Sequence, residues 1–378
     1  MSHYTVLAHL PADVEDVQAE LEKRLAPFDE NERVEPYRSF EDGAAGDFWF
    51  VRSVRRGATE LAEGKEINFP DDFFADKVKS DGRRYVSGYG EVTLAEYREA
   101  VTNGRTKDAE SAAALGEHPT WEDVVRVYNA HYHPSVPAVT DAPPEGDDEG
   151  LHYDPETGRA YTWSTYNPQS KWDWWSIGGR WTGYFRMKAQ APGSLTGRPG
   201  VFDNAPGDMG EGIRADGGPK GLIDIEAMRG DAAVKAHAEY DAWEKLSAQY
   251  PAAKSWEHFT GLVDVGELTI DQARVQYHAQ PLIQASKEVE VLGGRWADDP
   301  VSRFLPTREE YVQAARNAAV PAYALLTLSG EWVAPGRMGW FGMSSDGPGE
   351  KAGYHVAVNK YLDEVPDNDL LVLLDLHI

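Results

Sequence analysis

Val14, Val17, Leu21 and Leu25 recur at three- and four-residue intervals, which predicts an amphipathic helix over residues 14–25. The apolar stretch 4–10 before it predicts a strand, and Pro11 separates the two. A turn at 27–31 closes this βα unit, and residues 48–54 read as a second strand. Thr120-Trp-Glu-Asp123 resembles a capping box with Asp at its fourth position, opening a helix to about His131 that His133-Pro134 ends. Asp154-Pro-Glu-Thr-Gly158 is a turn signal, followed by a strand over 160–166 and another over 180–187. Helical spacing returns over 224–250, 255–259, 269–283 and 307–318, the last behind the cap Thr307-Arg-Glu-Glu310. A strand at 323–328, a turn at Gly330-Glu331, a helix at 354–365 and a strongly apolar strand at 370–378 complete the chain.

This order predicts an α+β fold, with a ferredoxin-like or related mixed sheet built from both chain termini. The run Leu370-Leu-Val-Leu-Leu374 requires burial on both sheet faces, which places it centrally. A helical and loop-rich elaboration fills the middle. The expected parts are an N-terminal α+β part (1–136), an aromatic hairpin and long loop (151–222), a helical region (223–320) and a βαβ part (321–378) that completes the main sheet. The Pro-, Asp- and Glu-rich stretch 137–150 is the first internal boundary this predicts, and 189–221, poor in apolar residues, reads as a long loop.

Composition narrows the chemistry. The 378 residues contain no cysteine, so disulfides, thiolate nucleophiles, Fe–S clusters and cysteine-ligated metals are excluded. A formal charge of −26 opposes non-specific nucleic-acid binding, leaving only local contact, for example around Arg52, Arg55 and Arg56. No apolar run is long enough to span a bilayer and the first residues lack a secretory pattern, so no membrane partner and a cytoplasmic location are expected. Phosphate-loop, dinucleotide and His-Glu-x-x-His patterns are missing, and no cofactor is indicated.

The densest candidate chemistry lies in residues 166–185, where Trp172, Trp174 and Trp181 surround Asp173, Arg180 and the pair Gly178-Gly179. The rings suit stacking on a planar group, Arg180 suits a carboxylate or phosphate, and Asp173 suits a ligand amine or a proton. The same residues also suit a packed hairpin in which Asp173 and Arg180 pair with each other. Trp332, Trp340, His355 and His377 form a second candidate patch, and His3, His9 and His377 become neighbours if the terminal strands pair. His131 and His133 would share a metal if their segment were extended, or end a helix if it were not.

Several of these stretches belong together in another way. Met1-Ser-His-Tyr-Thr-Val-Leu7, Leu25-Ala-Pro-Phe-Asp-Glu-Asn31, Glu35-Pro-Tyr37, Tyr166-Asn-Pro168, Ser170-Lys-Trp-Asp-Trp174, Ile177-Gly-Gly-Arg-Trp181, Met338-Gly-Trp-Phe-Gly342 and Asp375-Leu-His-Ile378 resemble an uncharacterised protein family of bacteriophages and prophages. The resemblance covers the framework at both ends and the middle, not the long linkers. It implies a phage or prophage origin and a cytoplasmic setting, and it transfers no catalytic assignment. Leu376 stands where that family often carries cysteine, so a thiol role there is not expected. The expected function is binding of a small planar or anionic ligand, with or without turnover. The competing expectation is an acidic interaction protein acting on a host macromolecule such as a host protein, through its acidic face and loop 189–221.

Overall fold

Leu370–His377 (β14) has its aliphatic side chains from Leu371 onward fully buried because strands flank it on both edges. His3–Leu10 (β1) pairs antiparallel along its whole length, from His3 opposite His377 to Leu10 opposite Leu370. Trp174–Gly179 (β7) lies antiparallel on the other edge, with Trp174 opposite His377 and Ile177 opposite Leu374, and Gly217–Pro219 (β11) continues that edge. Ala324–Leu326 (β12) runs parallel to β1, Trp332–Val333 (β13) folds back on β12, and Arg198–Pro199 (β9) lies parallel to β7. The order β13-β12-β1-β14-β7-β9 thus draws on both ends of the chain. This computed structural model describes residues 2–65, 83–86, 90–140, 143, 150–188, 194–196, 198–199, 213–294, 299–338 and 343–378.

Period-2 alternation sends one set of strand residues to each face. Tyr4, Val6, Ala8 and Leu10 pack with Val372, Leu374 and Leu376 under Val17–Leu25 (α1), which contributes Val17, Leu21 and Leu25. The side chain of Asp16 caps that helix by accepting the Ala19 N–H. On the opposite face Leu7, Leu371 and Leu373 meet Tyr354, Val358 and Leu362 of Pro348–Glu364 (α11). The class is α+β, with a mixed sheet built from both termini. Helices cover both faces, whereas a ferredoxin-like arrangement covers one, so the fold is a related mixed sheet.

The chain divides into two compact units, residues 1–32 with 167–378 and residues 33–166. The stretch 137–150 lies inside the second unit, and most of 189–221 lies outside the described residues. The first unit also holds the short pair Phe185–Met187 (β8) and Ile213–Ala215 (β10) and a helical block. In that block Ile225–Ser247 (α5) and Arg308–Ala318 (α10) are tied by Arg308 to Asp241 and Glu244 at 2.5 and 2.6 Å. Trp256–Asp264 (α6), Ile270–Ala279 (α7) and Pro281–Ser286 (α8) close over Phe259, Ala273, Tyr277 and Ile283, and Pro300–Arg303 (α9) follows. Residues 180–183 form a turn, so the strand expected over 180–187 is confined to β8, and the longer strand, β7, precedes the glycine pair.

The second unit corrects another expectation. Residues 48–54 do not form a strand; Trp49–Ala62 (α2) is a helix burying Phe50, Val51, Val54 and Gly57. A short run of aromatic and β-branched residues fits either element, and the burial continuing to Gly57 at helical spacing decides it. Leu94–Leu115 (α3) starts at a reciprocal capping box of Thr93 and Glu96, and Trp121–Tyr132 (α4) at the expected box of Thr120 and Asp123. Arg33–Phe40 (β2), Arg159–Tyr166 (β6) and His152–Asp154 (β5) form one antiparallel sheet, and Arg84–Val86 (β3) pairs with Gly90–Val92 (β4).

His131 and His133 lie at the end of α4, so the extended geometry needed for a shared metal is not present. His131 Nδ1 meets Ser111 Oγ at 2.8 Å, and its Nε2 faces Asp108 at 3.9 Å. Among the described residues no group of three His, Asp or Glu side chains is arranged to hold a metal. Burial, then nearby Lys107, hold the His131 imidazole below the usual histidine range. Phe50 and Tyr132 pack on the ring, and burial holds the Asp108 carboxyl above its ordinary value. A lowered folded value means that the unfolded chain takes up this proton first. His131 therefore adds stability above about pH 6.5, lost as the pH falls through that value. We expect His131→Gln to flatten the decline in urea midpoint of this unit between pH 7 and 5. An unaltered slope would refute that assignment.

Candidate functional site

Three rows of side chains cross the end of the sheet where the termini meet. His3, His377 and Trp174 form the first, Thr5, Asp375 and Ser176 the second, and Leu7 and Leu373 the third. All face the α11 side, because alternation puts Trp175 and Ile177 on the α1 side. The outer two rows are polar and the third is the start of the core.

Each histidine is oriented by a carboxylate. His3 Nδ1 meets Asp375 Oδ1 at 2.8 Å, and His377 Nδ1 meets Asp173 Oδ1 at 2.6 Å. The two imidazoles lie 4.9 Å apart between centroids, inclined at 71°. The indole of Trp174 stacks on His377 at 5.6 Å and meets the His3 ring edge-on at 5.2 Å. Trp174 is 43% exposed, so it forms the outward wall of this corner. A carboxylate on Nδ1 favours the proton there and leaves Nε2 as the basic atom of each neutral ring. Among the described residues neither Nε2 atom has a hydrogen-bond partner.

The glycine pair seats two buried carboxylates. Gly178 and Gly179 adopt φ of +71° and +53°, and a Cβ on Gly179 would stand 2.3 Å from Asp375 Oδ2. The same atom on Gly178 would stand 2.5 Å from Asp216 Oδ2. Asp375 Oδ2 accepts the Arg180 N–H at 2.8 Å, and Asp216 accepts from Thr182 Oγ1 at 2.8 Å and from the Gly183 N–H. The turn 178–183 is therefore a donor-lined cradle for the chain's own carboxylates, which explains a glycine pair without any phosphate.

The preceding loop is fixed from the α1 end. Lys171 N–H donates to Phe28 O, Glu30 N–H to Trp172 O, and the Trp172 indole N–H to Leu25 O at 3.1 Å. Tyr4 O–H donates to Lys171 O, and Asn167 Nδ2 bridges the carbonyls of Pro27 and Asp29. These bonds hold Asp173 in reach of His377.

The predicted residues thus separate. Asp173 and Trp174 stand at the corner with His377, and Arg180 enters it through its backbone N–H. The expected Asp173–Arg180 pair does not form, because Asp173 bonds His377. Trp172 is buried on the α1 face, and Trp181 packs into the opposite core, so Trp172, Trp174 and Trp181 make no common wall. The second patch is not assembled: Trp332 packs on Tyr4 and Phe28, and His355 lines a groove between α10 and α11. Trp340 lies outside the described residues. His3 does join His377, whereas His9, on the same face, lies at the other end of β1. Asp375, Thr182 and Asp216 join the site without having been expected there. The Asp375-x-His377 spacing on a strand, which puts both on one face, was the available signal for the first.

No family model matches the chain, and no curated protein or solved structure matches it. Among the described residues no helix is long and apolar enough to cross a membrane.

Proposed function

We propose that the corner of His3, His377 and Trp174 binds a small planar or anionic molecule and exchanges protons with it. The observation that carries this is the pair of imidazoles 4.9 Å apart, each held at Nδ1 by a carboxylate, beside an exposed indole. A planar group stacks on the outer face of Trp174. An anionic group faces the two Nε2 atoms, which become donors when the rings are protonated. The same two atoms supply one base and one acid, the requirement for general acid–base turnover. Four of the stretches that carry the phage-family resemblance meet at this corner, residues 2–7, 170–174, 177–181 and 375–378, although the resemblance itself assigns them no catalytic role. A phage or prophage protein of the cytoplasm is the setting this implies.

The test is calorimetric titration with a panel of nucleoside monophosphates and aromatic carboxylates. Trp174→Ala is expected to weaken the binding member by about 5- to 150-fold, from loss of a stacking contact of ~1–3 kcal/mol. The melting temperature should hardly move, since this ring is largely outside the core. Affinity unchanged in Trp174→Ala, or no saturable binding anywhere in the panel, would reject the site.

A further inference from the structure

The opposite end of β1 carries a second polar arrangement, and this one borders an open cleft. His9 Nε2 meets Asp369 Oδ2 at 3.0 Å, and His9 Nδ1 meets the hydroxyl of Tyr361 at 2.6 Å. A carboxylate accepts only, so it places the imidazole proton on Nε2 and leaves Nδ1 as the acceptor. Tyr361 O–H therefore donates to His9. Its oxygen also accepts the Leu328 N–H at 3.0 Å, which leaves one acceptor position on the phenol. Burial, the largest influence on Tyr361, holds its phenol above the ordinary tyrosine value, so the hydroxyl keeps its proton.

Tyr361 lines a cleft of about 560 Å³ between α11 and the β12–β13 hairpin. Leu325, Leu328, Val333 and Val358 supply apolar walls, and Glu331 supplies the one charged group of the lining. Among the described residues none pairs with the Glu331 carboxylate, and no Lys, Arg or His is in the lining; Arg24, whose charge reaches Tyr361, is paired with Glu20 at 2.7 Å and donates to Leu328 O at 2.6 Å. A volume in this range suits a small ligand, and an apolar site with a few polar groups is the usual form of such a site. The complementary molecule has an aliphatic body and a donating, positively charged head.

We propose that this cleft binds an aliphatic amine, its hydrocarbon chain against Leu325, Val333 and Val358 and its ammonium group between Glu331 and the Tyr361 oxygen. His9 and Asp369 are positioning residues: they hold the phenol with its lone pair directed away from the relay. This site is separate from the Trp174 corner, at the far end of the same strand, and it does not depend on that assignment.

The probes are n-octylammonium, 1-octanol and octanoate, titrated into the full chain by calorimetry below their micellar concentrations. Octylammonium is expected to bind saturably at one site, octanol about tenfold more weakly, and octanoate not measurably. Ala357→Trp, at an exposed lining position, fills the cleft and should abolish binding. It also separates cleft binding from the general attraction of cations to a chain of net charge −26. Glu331→Gln should remove most of the preference for the amine over the alcohol while leaving octanol binding in place. Octanoate binding as tightly as octylammonium, undiminished amine binding in Ala357→Trp, an unchanged preference in Glu331→Gln, or no saturable binding of any probe would each overturn the proposal.

Discussion

Removal of residues 371–378 is expected to abolish the cooperative unfolding transition of the first unit. Leu371, Val372, Leu373, Leu374 and Leu376 are each fully buried, on alternate faces of the sheet. At about 1.5–3 kcal/mol per side chain, these five contribute about 7–15 kcal/mol. That equals the ~5–15 kcal/mol net stability of a typical domain. The deletion also strips the hydrogen-bonding partners from β1 and β7, leaving two new edges. Circular dichroism melts, with hydrogen exchange at the β1 amides, measure the outcome. A truncated chain that kept the parent's midpoint and β1 protection would show that β14 is not the central strand.

Gly179→Ala is expected to cost the first unit about 2–5 kcal/mol. A left-handed backbone costs a residue with a Cβ about 1–2 kcal/mol. The new methyl meets Asp375 Oδ2 at 2.3 Å and its Cβ at 2.4 Å, so the buried carboxylate must move. That adds about 1–3 kcal/mol of overpacking and loosens the bonds to His3 Nδ1 and the Arg180 N–H. Gly330→Ala is the control: φ there is +84°, but nothing lies within 4 Å of the built Cβ. It should cost only the backbone component. Urea unfolding of the two variants side by side makes the comparison. Equal losses would mean that the close approach of Asp375 does not matter and that the turn alone requires glycine.

The two variants also bear on the site. If Asp375 moves, His3 loses the partner that fixes its ring, while His377 keeps Asp173. Ligand binding at the corner should therefore fall more steeply in Gly179→Ala than in Gly330→Ala.

Much of the framework was legible in the residues alone. The continuous run from Leu370 to Leu374 could not be a solvated strand, so its central place followed from burial. The helix after β1, the box at Thr120 and the cap at Thr307 were readable because their signals are local: spacing, a hydroxyl and a carboxylate three residues on. The site was legible as a region but not as a set of roles. Trp172-Asp-Trp-Trp175 reads as one aromatic cluster, yet alternation within β7 sends Trp175 to the α1 side and leaves Trp174 beside His3 and His377, while Trp172, in the loop before the strand, is buried on the α1 side by its bond to Leu25 O. The glycine pair signalled a close approach, but not that the approaching groups are Asp216 at Gly178 and Asp375 at Gly179, 38 and 196 residues away along the chain.

Local pattern determined which segments are helices and strands wherever an element carries its own cap or an unambiguous period. It also determined the α+β class and excluded thiol chemistry, since these depend only on composition and short-range geometry. Residues 48–54 show the limit, because a short apolar run has no intrinsic preference until its neighbours bury one face. Only tertiary structure decided the pairing of β1 with β14, and with it the meeting of His3, Asp375 and His377. The choice of Asp173 for His377 and the placing of His9 beside Tyr361 at a cleft were decided in the same way. These contacts join residues more than 200 positions apart. Their closure is driven by burial of the whole sheet, and no residue type or spacing near any one of them encodes the partner.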